Sequence, residues 1–183
     1  MKTVDKILQT FRIQRAKKYI QPGAHVLDIG CYDGVLFKQL GTYIAGGVGI
    51  DPLLPQPLQG ATYQLFPGKF PDDLPAQSRM FDAVVALAVL EHIPRDMQKN
   101  FALACLNALK PGGIVIITVP SPFVDKILAV LLWLHLIDGM SLEEHYGFDP
   151  ATVPDIFKIE GFKLLARDRF QFGLNYCFVF QKK

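Results

Sequence analysis

Apolar residues recur at helical spacing from the start of the chain. Val4, Ile7, Leu8, Phe11 and Ile20 stand among basic neighbours, which predicts a helix over 4–20 that Gln21-Pro22-Gly23 ends. The pattern then changes. His25 to Ile29 is a short apolar run closed by glycine, as a buried parallel strand reads. Residues 34–40 suit a helix, and 47–50 a second strand stopped at Asp51-Pro52, because proline cannot donate to a ladder. A third strand is expected over 61–66, within a proline-rich stretch from Leu53 to Arg79 that otherwise reads as irregular.

Phe81 to Val89 predicts a strongly buried strand. Pro94 to Leu109 predicts a helix, with proline in its first turn and Met97, Phe101, Cys105 and Ala108 along one face. Lys110-Pro111-Gly112-Gly113 reads as the next turn, and Ile114 to Val119 as a strand. Beyond it come a helical stretch from about 124 to 138, a polar loop, a helix near 151–159 and strands near 162–171 and 174–181. Alternating strands and helices with short connections argue for a Rossmann-like, doubly wound, mostly parallel sheet with helices on both faces. Ligands of such sheets lie beyond the carboxyl ends of the strands, beside strand one. That rule selects residues 28–34, 51–52, 66–70, 87–92 and 119–123.

Composition narrows the class. The 183 residues fit one domain, 1–183, opened by the 1–22 helical segment. A net charge of +2 with neutral histidines does not suggest a nucleic-acid footprint. Cys31, Cys105 and Cys177 show neither disulfide pairing nor metal-ligand spacing, which favours a reducing, cytoplasmic setting and no metal. Charges throughout Met1 to Lys18 argue against a signal peptide. The apolar run Ile127 to Ile137 is too short for a membrane span, which needs about 20 residues. Being apolar all round, it predicts burial under a lid or in a homodimer contact through 124–138; a wall for a hydrophobic acceptor is the second reading. A helix lying at a membrane surface, which would need basic residues this run lacks, is the third.

Candidate chemistry gathers after strand one. Gly30 and Gly34 let the backbone approach a ligand closely, and the following helix start offers free N–H groups. Asp28 brings a negative charge that a pyrophosphate would avoid and an ammonium or sulfonium would welcome. Asp51, about 20 residues on, suits both hydroxyls of a ribose. A nicotinamide-dependent oxidoreductase shares Asp51, but it expects G-x-G-x-x-G where this chain has Gly30-Cys31-Tyr32-Asp33-Gly34.

Four segments in order resemble the class I S-adenosylmethionine-dependent methyltransferases, in their small-molecule (type 11) branch. Val26-Leu-Asp-Ile-Gly-Cys-Tyr-Asp-Gly34 resembles the first motif, and Gly47-Val-Gly-Ile-Asp51 the second-strand motif. Phe81–Val85 running into Val89-Leu-Glu-His-Ile93 resembles the fourth-strand motif, and Leu109–Gly113 the turn before strand five. The resemblance implies a seven-stranded sheet with an antiparallel last strand, and methyl transfer to a small acceptor. It places Asp28, Gly30, Cys31, Tyr32 and Gly34 around the methionine moiety, and Asp51 with Pro52 at the ribose. Backbone groups of Leu87 and Ala88 fall beside the sulfonium. Tyr32 stands where the family has a second glycine. No acid occupies 66–70 to meet the adenine amine, which leaves adenine to backbone groups and Phe66. These two departures support an alternative, a non-catalytic methyltransferase-like scaffold.

On the acceptor side, His92 is the candidate base, with organisation of its loop together with Glu91 as the plainer role. His145, in Glu143-Glu-His-Tyr-Gly-Phe148, is a second candidate in a segment resembling the family's acceptor-side loop. Residues 123–150 read as a substrate-side insertion or lid.

Overall fold

The computed structural model describes residues 3–75, 80–121 and 148–183. Four helices are named here: α1 (Thr3–Lys17), α2 (Val35–Leu40), α3 (Gln98–Ala108) and α4 (Val153–Ile156). Eight strands form one sheet: β1 (His25–Ile29), β2 (Gly46–Asp51), β3 (Leu58–Gln59), β4 (Tyr63–Pro67), β5 (Phe81–Leu87), β6 (Leu109–Pro120), β7 (Phe162–Phe170) and β8 (Asn175–Lys182). Their order across the sheet is β3-β4-β2-β1-β5-β6-β8-β7. β1 pairs in parallel with β2 on one side and β5 on the other, so the chain reverses its direction of winding at β1. β8 is antiparallel to both β6 and β7.

The sheet separates two apolar layers. Ile13, Ala16 and Ile20 meet Leu36, Phe37 and Leu40 of α2 on one face, over Val26, Ala83 and Ile116. Phe101, Ala102 and Cys105 of α3 join Val153 and Ile156 of α4 on the other, over Leu27, Ile29 and Phe178. Alternation along β1 sends its side chains to the two layers in turn. α1 is also tied to the far edge of the sheet: Arg15 pairs with Asp168 of β7 at 2.9 Å, and Arg12 Nε donates to Asn175 Oδ1 of β8 at 3.2 Å.

The structure revises several expected boundaries. α1 stops at Lys17, because its last turn tightens (Lys18 N to Arg15 O at 3.3 Å, Tyr19 N to Ala16 O at 3.0 Å) ahead of Pro22. α3 starts at Gln98 rather than Pro94. Pro94 opens a separate turn closed by Met97 N, and the Gln98 side chain bonds back to Ile93 O at 2.9 Å. The expected helix near 151–159 is a 3₁₀ turn, Pro150–Thr152, followed by the short α4. Lys110–Gly113 lie within β6, where the register slips between Phe81↔Leu109 and Ala83↔Ile114. Asp82 steadies that slip, accepting from Lys110 Nζ at 2.8 Å and from His25 N at 2.8 Å. An eighth strand, β3, is a two-residue antiparallel cover on β4. The helix expected over 124–138 and most of the 123–150 insertion lie outside the described residues. Among those described, no helix is long and apolar enough to cross a membrane.

Gly47 explains how α2 lies so close to the sheet. A Cβ there would sit 2.1 Å from the Phe37 ring and 2.8 Å from the Val26 carbonyl. That ring stacks on Tyr63, with centroids 4.9 Å apart. Gly47→Ala is therefore expected to destabilise the fold by about 3 kcal/mol, as overpacking against backbone does. Urea denaturation measures it; a loss under about 1 kcal/mol would show that α2 yields freely.

Candidate active site

The loops after β1, β2 and β5 converge at the carboxyl end of the sheet. Gly30 N bonds to Ile50 O at 2.9 Å, which joins the first loop to the end of β2. Asp51 fixes both neighbours: Tyr32 N donates to its Oδ2 at 2.8 Å and Leu53 N to its Oδ1 at 2.8 Å. Its own carbonyl takes Gly68 N at 3.2 Å, which draws in the end of β4 and half-buried Phe66. Pro52 lies exposed beside it. A Cβ on Gly30 would meet Val89 Cγ2 at 2.6 Å, so the loop after β5, with Leu87 and Ala88, abuts the first loop.

Several backbones here are bent into the left-handed region: Gly30 at φ 77°, Tyr32 at 43°, Gly34 at 73° and Ala88 at 58°. Gly34 caps α2 in that conformation. Tyr32 therefore holds a conformation that glycine adopts at lower cost. Its side chain is 52% exposed, so it does not fill the space between the loops. Cys31 reaches the loop through its backbone. Its side chain is buried in the layer under α2, with burial pushing the thiol up, and only its backbone borders the loop. Gly34 N bonds to the Cys31 carbonyl at 2.8 Å.

Asp28 and Asp51 are both buried, 4% and 5% exposed. Burial raises the Asp28 carboxyl well above its usual range, and the Asp51 charge raises it further. No donor among the described residues reaches the Asp28 carboxyl. The pair forms a buried, negatively biased centre with no cation of its own, suited to a cationic ligand.

Glu91 is the second unusual acid. It lies in the 3₁₀ turn Leu90–His92 just past β5, 1% exposed, and its Oε2 has no hydrogen-bond partner among the described residues. Burial pushes its carboxyl up to about 7, with the Arg12 charge pulling the other way. His92, the expected base, is exposed on the same turn. His145 lies outside the described residues, as do Glu143 and Glu144. Arg12 and Asn175, which close this side, carried no local signal: 163 positions separate them, and only the fold brings them together.

This geometry defines a nucleoside-cofactor-binding α/β protein. The chain belongs to the methyltransferase-domain family, whose pattern matches residues 5–169, and within it to the class I S-adenosylmethionine-dependent enzymes. It is 34% identical over 107 residues to the mitochondrial ubiquinone biosynthesis O-methyltransferase of Rattus norvegicus, covering 52% of this chain and 30% of that protein. It is 33% identical over 100 residues to the tRNA U34 carboxymethyltransferase of Methylococcus capsulatus, covering 50% of this chain and 30% of the relative. The chain thus matches about a third of the length of these curated relatives. Among solved structures, the PH0226 protein of Pyrococcus horikoshii superposes with a TM-score of 0.71 at 16% identity, covering 97% of this chain and 92% of that one. The N-methyltransferase NodS of Bradyrhizobium japonicum, bound to S-adenosylhomocysteine, superposes at 0.65 with 15% identity, covering 97% and 86%.

The cofactor is accordingly S-adenosylmethionine, and the donor set fits it. Its ammonium and sulfonium suit two carboxylates with no counter-cation among the described residues, and each Asp51 oxygen keeps an acceptor site beyond its one amide. Among the described residues no cluster of three or more His, Cys, Asp or Glu would hold a metal.

Glu91 also gives stability a pH dependence. Its folded pKa is raised from 4.5 to about 7, so its contribution is fully present below about 4.5 and is lost as pH rises through 7. Glu91→Gln removes this titration. Relative to the variant, wild type should lose about 3 kcal/mol between pH 4.5 and 7.5 in denaturant titrations. Asp28 shifts in the same direction in both proteins and cancels in the comparison. Parallel stability curves would overturn the assignment.

Proposed function

We propose that this chain transfers the methyl group of S-adenosylmethionine to a hydroxyl of a small acceptor by in-line displacement. The observation that carries this reading is the buried Asp28–Asp51 pair, with no compensating cation among the described residues, at the crossing of the first two loops. When bound, the cofactor supplies an electrophilic methyl on a sulfonium. Asp28, with the backbone of Gly30, Cys31, Tyr32 and Gly34, holds the methionine end. Asp51 and Pro52 hold the ribose, Phe66 lies against the adenine, and backbone groups of Leu87 and Ala88 border the sulfonium. Positioning and exclusion of water supply much of the rate in such a displacement.

An oxygen acceptor has a proton to lose, and the relatives named for O-methylation favour that choice over the tRNA-directed relative. Glu91 Oε2 takes the proton: a carboxyl titrating near 7 is matched to base work at neutral pH. His92, exposed on the same turn, relays it to solvent. His145 and the 123–150 insertion belong to the acceptor side. A methyltransferase-like scaffold draws less support now that Tyr32 holds its side chain half in solvent. The whole chain reads as one methyltransferase domain working in the cytoplasm.

Calorimetric titration tests the cofactor assignment. Asp51→Ala should weaken S-adenosylhomocysteine binding by about 1–3 kcal/mol, through the lost charge-assisted bonds and the freed Tyr32 and Leu53 amides. Equal affinity, or preferential binding of NAD, would sink it. With labelled S-adenosylmethionine and phenolic acceptors, Glu91→Gln should keep cofactor affinity while turnover falls by about 10²–10⁴. Undiminished turnover would remove Glu91 from the chemistry.

A further inference from the structure

The far edge of the sheet carries a second arrangement that the methyl-transfer reading does not use. Arg167 and Arg169 are two residues apart on β7, so their side chains rise on the same face, about 6.6 Å apart along the strand. Both are exposed. Both are held by rings of β8: Arg169 Cζ lies 4.8 Å from the Tyr176 centroid, and Arg167 Cζ lies 5.9 Å from Tyr176 and 5.6 Å from Phe178. Tyr176 and Phe178 are stacked and buried beneath them. The acid between them, Asp168, faces the opposite side of the sheet, where it pairs with Arg15 at 2.9 Å and accepts from the Tyr19 hydroxyl.

Two guanidiniums thus share one aromatic ring, and among the described residues no carboxylate offsets either. Each guanidinium lies within cation–π range of a ring, and an exposed guanidinium carries N–H donors suited to bidentate bonds to oxyanions. Two positive charges at this spacing match a group with two negative charges spread over several oxygens. The register sets Arg169 beside Tyr176, and Tyr176 beside Val119 at the end of β6. The pair therefore lies at the carboxyl end of the sheet, three strands from Leu87 or about 14 Å at ordinary strand spacing.

We propose that Arg167 and Arg169, laid over the Tyr176–Phe178 rings, form a binding site for a phosphate group beside the acceptor side of the sheet. Two sources present that chemistry, a phosphorylated small molecule and the backbone of an RNA strand. The site stands whether or not the chain transfers methyl groups.

The test uses the full chain with inorganic phosphate and a short single-stranded RNA as probes. Phosphate should shift the Nε–Hε NMR signals of two arginines saturably. Arg167→Gln/Arg169→Gln should weaken phosphate at least tenfold, and Arg169→Lys, which keeps charge but loses the fork, should also weaken it. RNA binding far tighter than phosphate, with a salt slope that drops by about 1.4 in the double variant, assigns the site to a nucleic-acid strand. RNA no tighter than phosphate assigns it to a phosphorylated small molecule. Absence of saturable shifts, or equal binding by the double variant, overturns the site and leaves the arginines as guards of an open sheet edge. S-adenosylhomocysteine titrated into each protein reports folding and keeps the two readings apart: its failure to bind would sink the cofactor assignment and leave the phosphate result standing.

Discussion

The Asp51 carboxylate joins two loops that would otherwise be independent. One oxygen holds the Tyr32 amide in the loop after β1, and the other holds the Leu53 amide in the loop after β2. These bonds fix the shape of the mouth and bring the negative charge of Asp51 up to Asp28. Two carboxyl groups out of water, with no cation beside them among the described residues, are costly to maintain. The sheet holds both in place: Asp28 lies inside β1, paired with Gly49 and Val85 on either side, and Asp51 ends β2 beside Pro67. A ligand bringing positive charge relieves that cost, so the same feature that weakens the empty fold selects the ligand.

Two strained residues border that centre. Tyr32 and Ala88 occupy left-handed conformations, and each non-glycine residue there costs about 1–2 kcal/mol. Both fall where loops from neighbouring strands touch. The rest of the framework is conventional, with two apolar layers, glycine where Phe37 crosses β2, and an acid-lysine pair where β6 slips register. Two strained backbones and a buried pair of acids thus lie where chemistry is proposed, while Met80, Gln171 and Phe172 carry positive φ elsewhere.

Much of this was legible from local pattern. β1 falls at His25–Ile29 because an apolar run ended by glycine leaves little choice, and Asp51-Pro52 marks the end of β2 for an equally local reason. Asp28 and Asp51 stand out because a carboxylate near or at the end of a buried strand, beside glycines, has few structural uses. What stayed hidden depends on distant partners. α3 begins late because Gln98 turns its side chain back to Ile93, a choice that composition does not reveal. β3 is two residues long and exists only by leaning on β4. Cys31 reads as a loop residue until its side chain is found beneath α2. The arginines of β7 read as ordinary edge polarity, consistent with a net charge of +2, until β8 places aromatic rings under them.

The position of β8 has a consequence for how the protein is made. It lies between β6 and β7, antiparallel to both, yet follows both in the chain. During synthesis, β6 and β7 cannot be joined until residues 175–182 have left the ribosome. Until then β6 presents an open edge of Ile114 to Val119, an apolar strand of the kind that recruits unrelated chains. Chaperone demand should therefore peak late in translation, and nascent chains that stop short of Asn175 should aggregate rather than persist as a smaller fold.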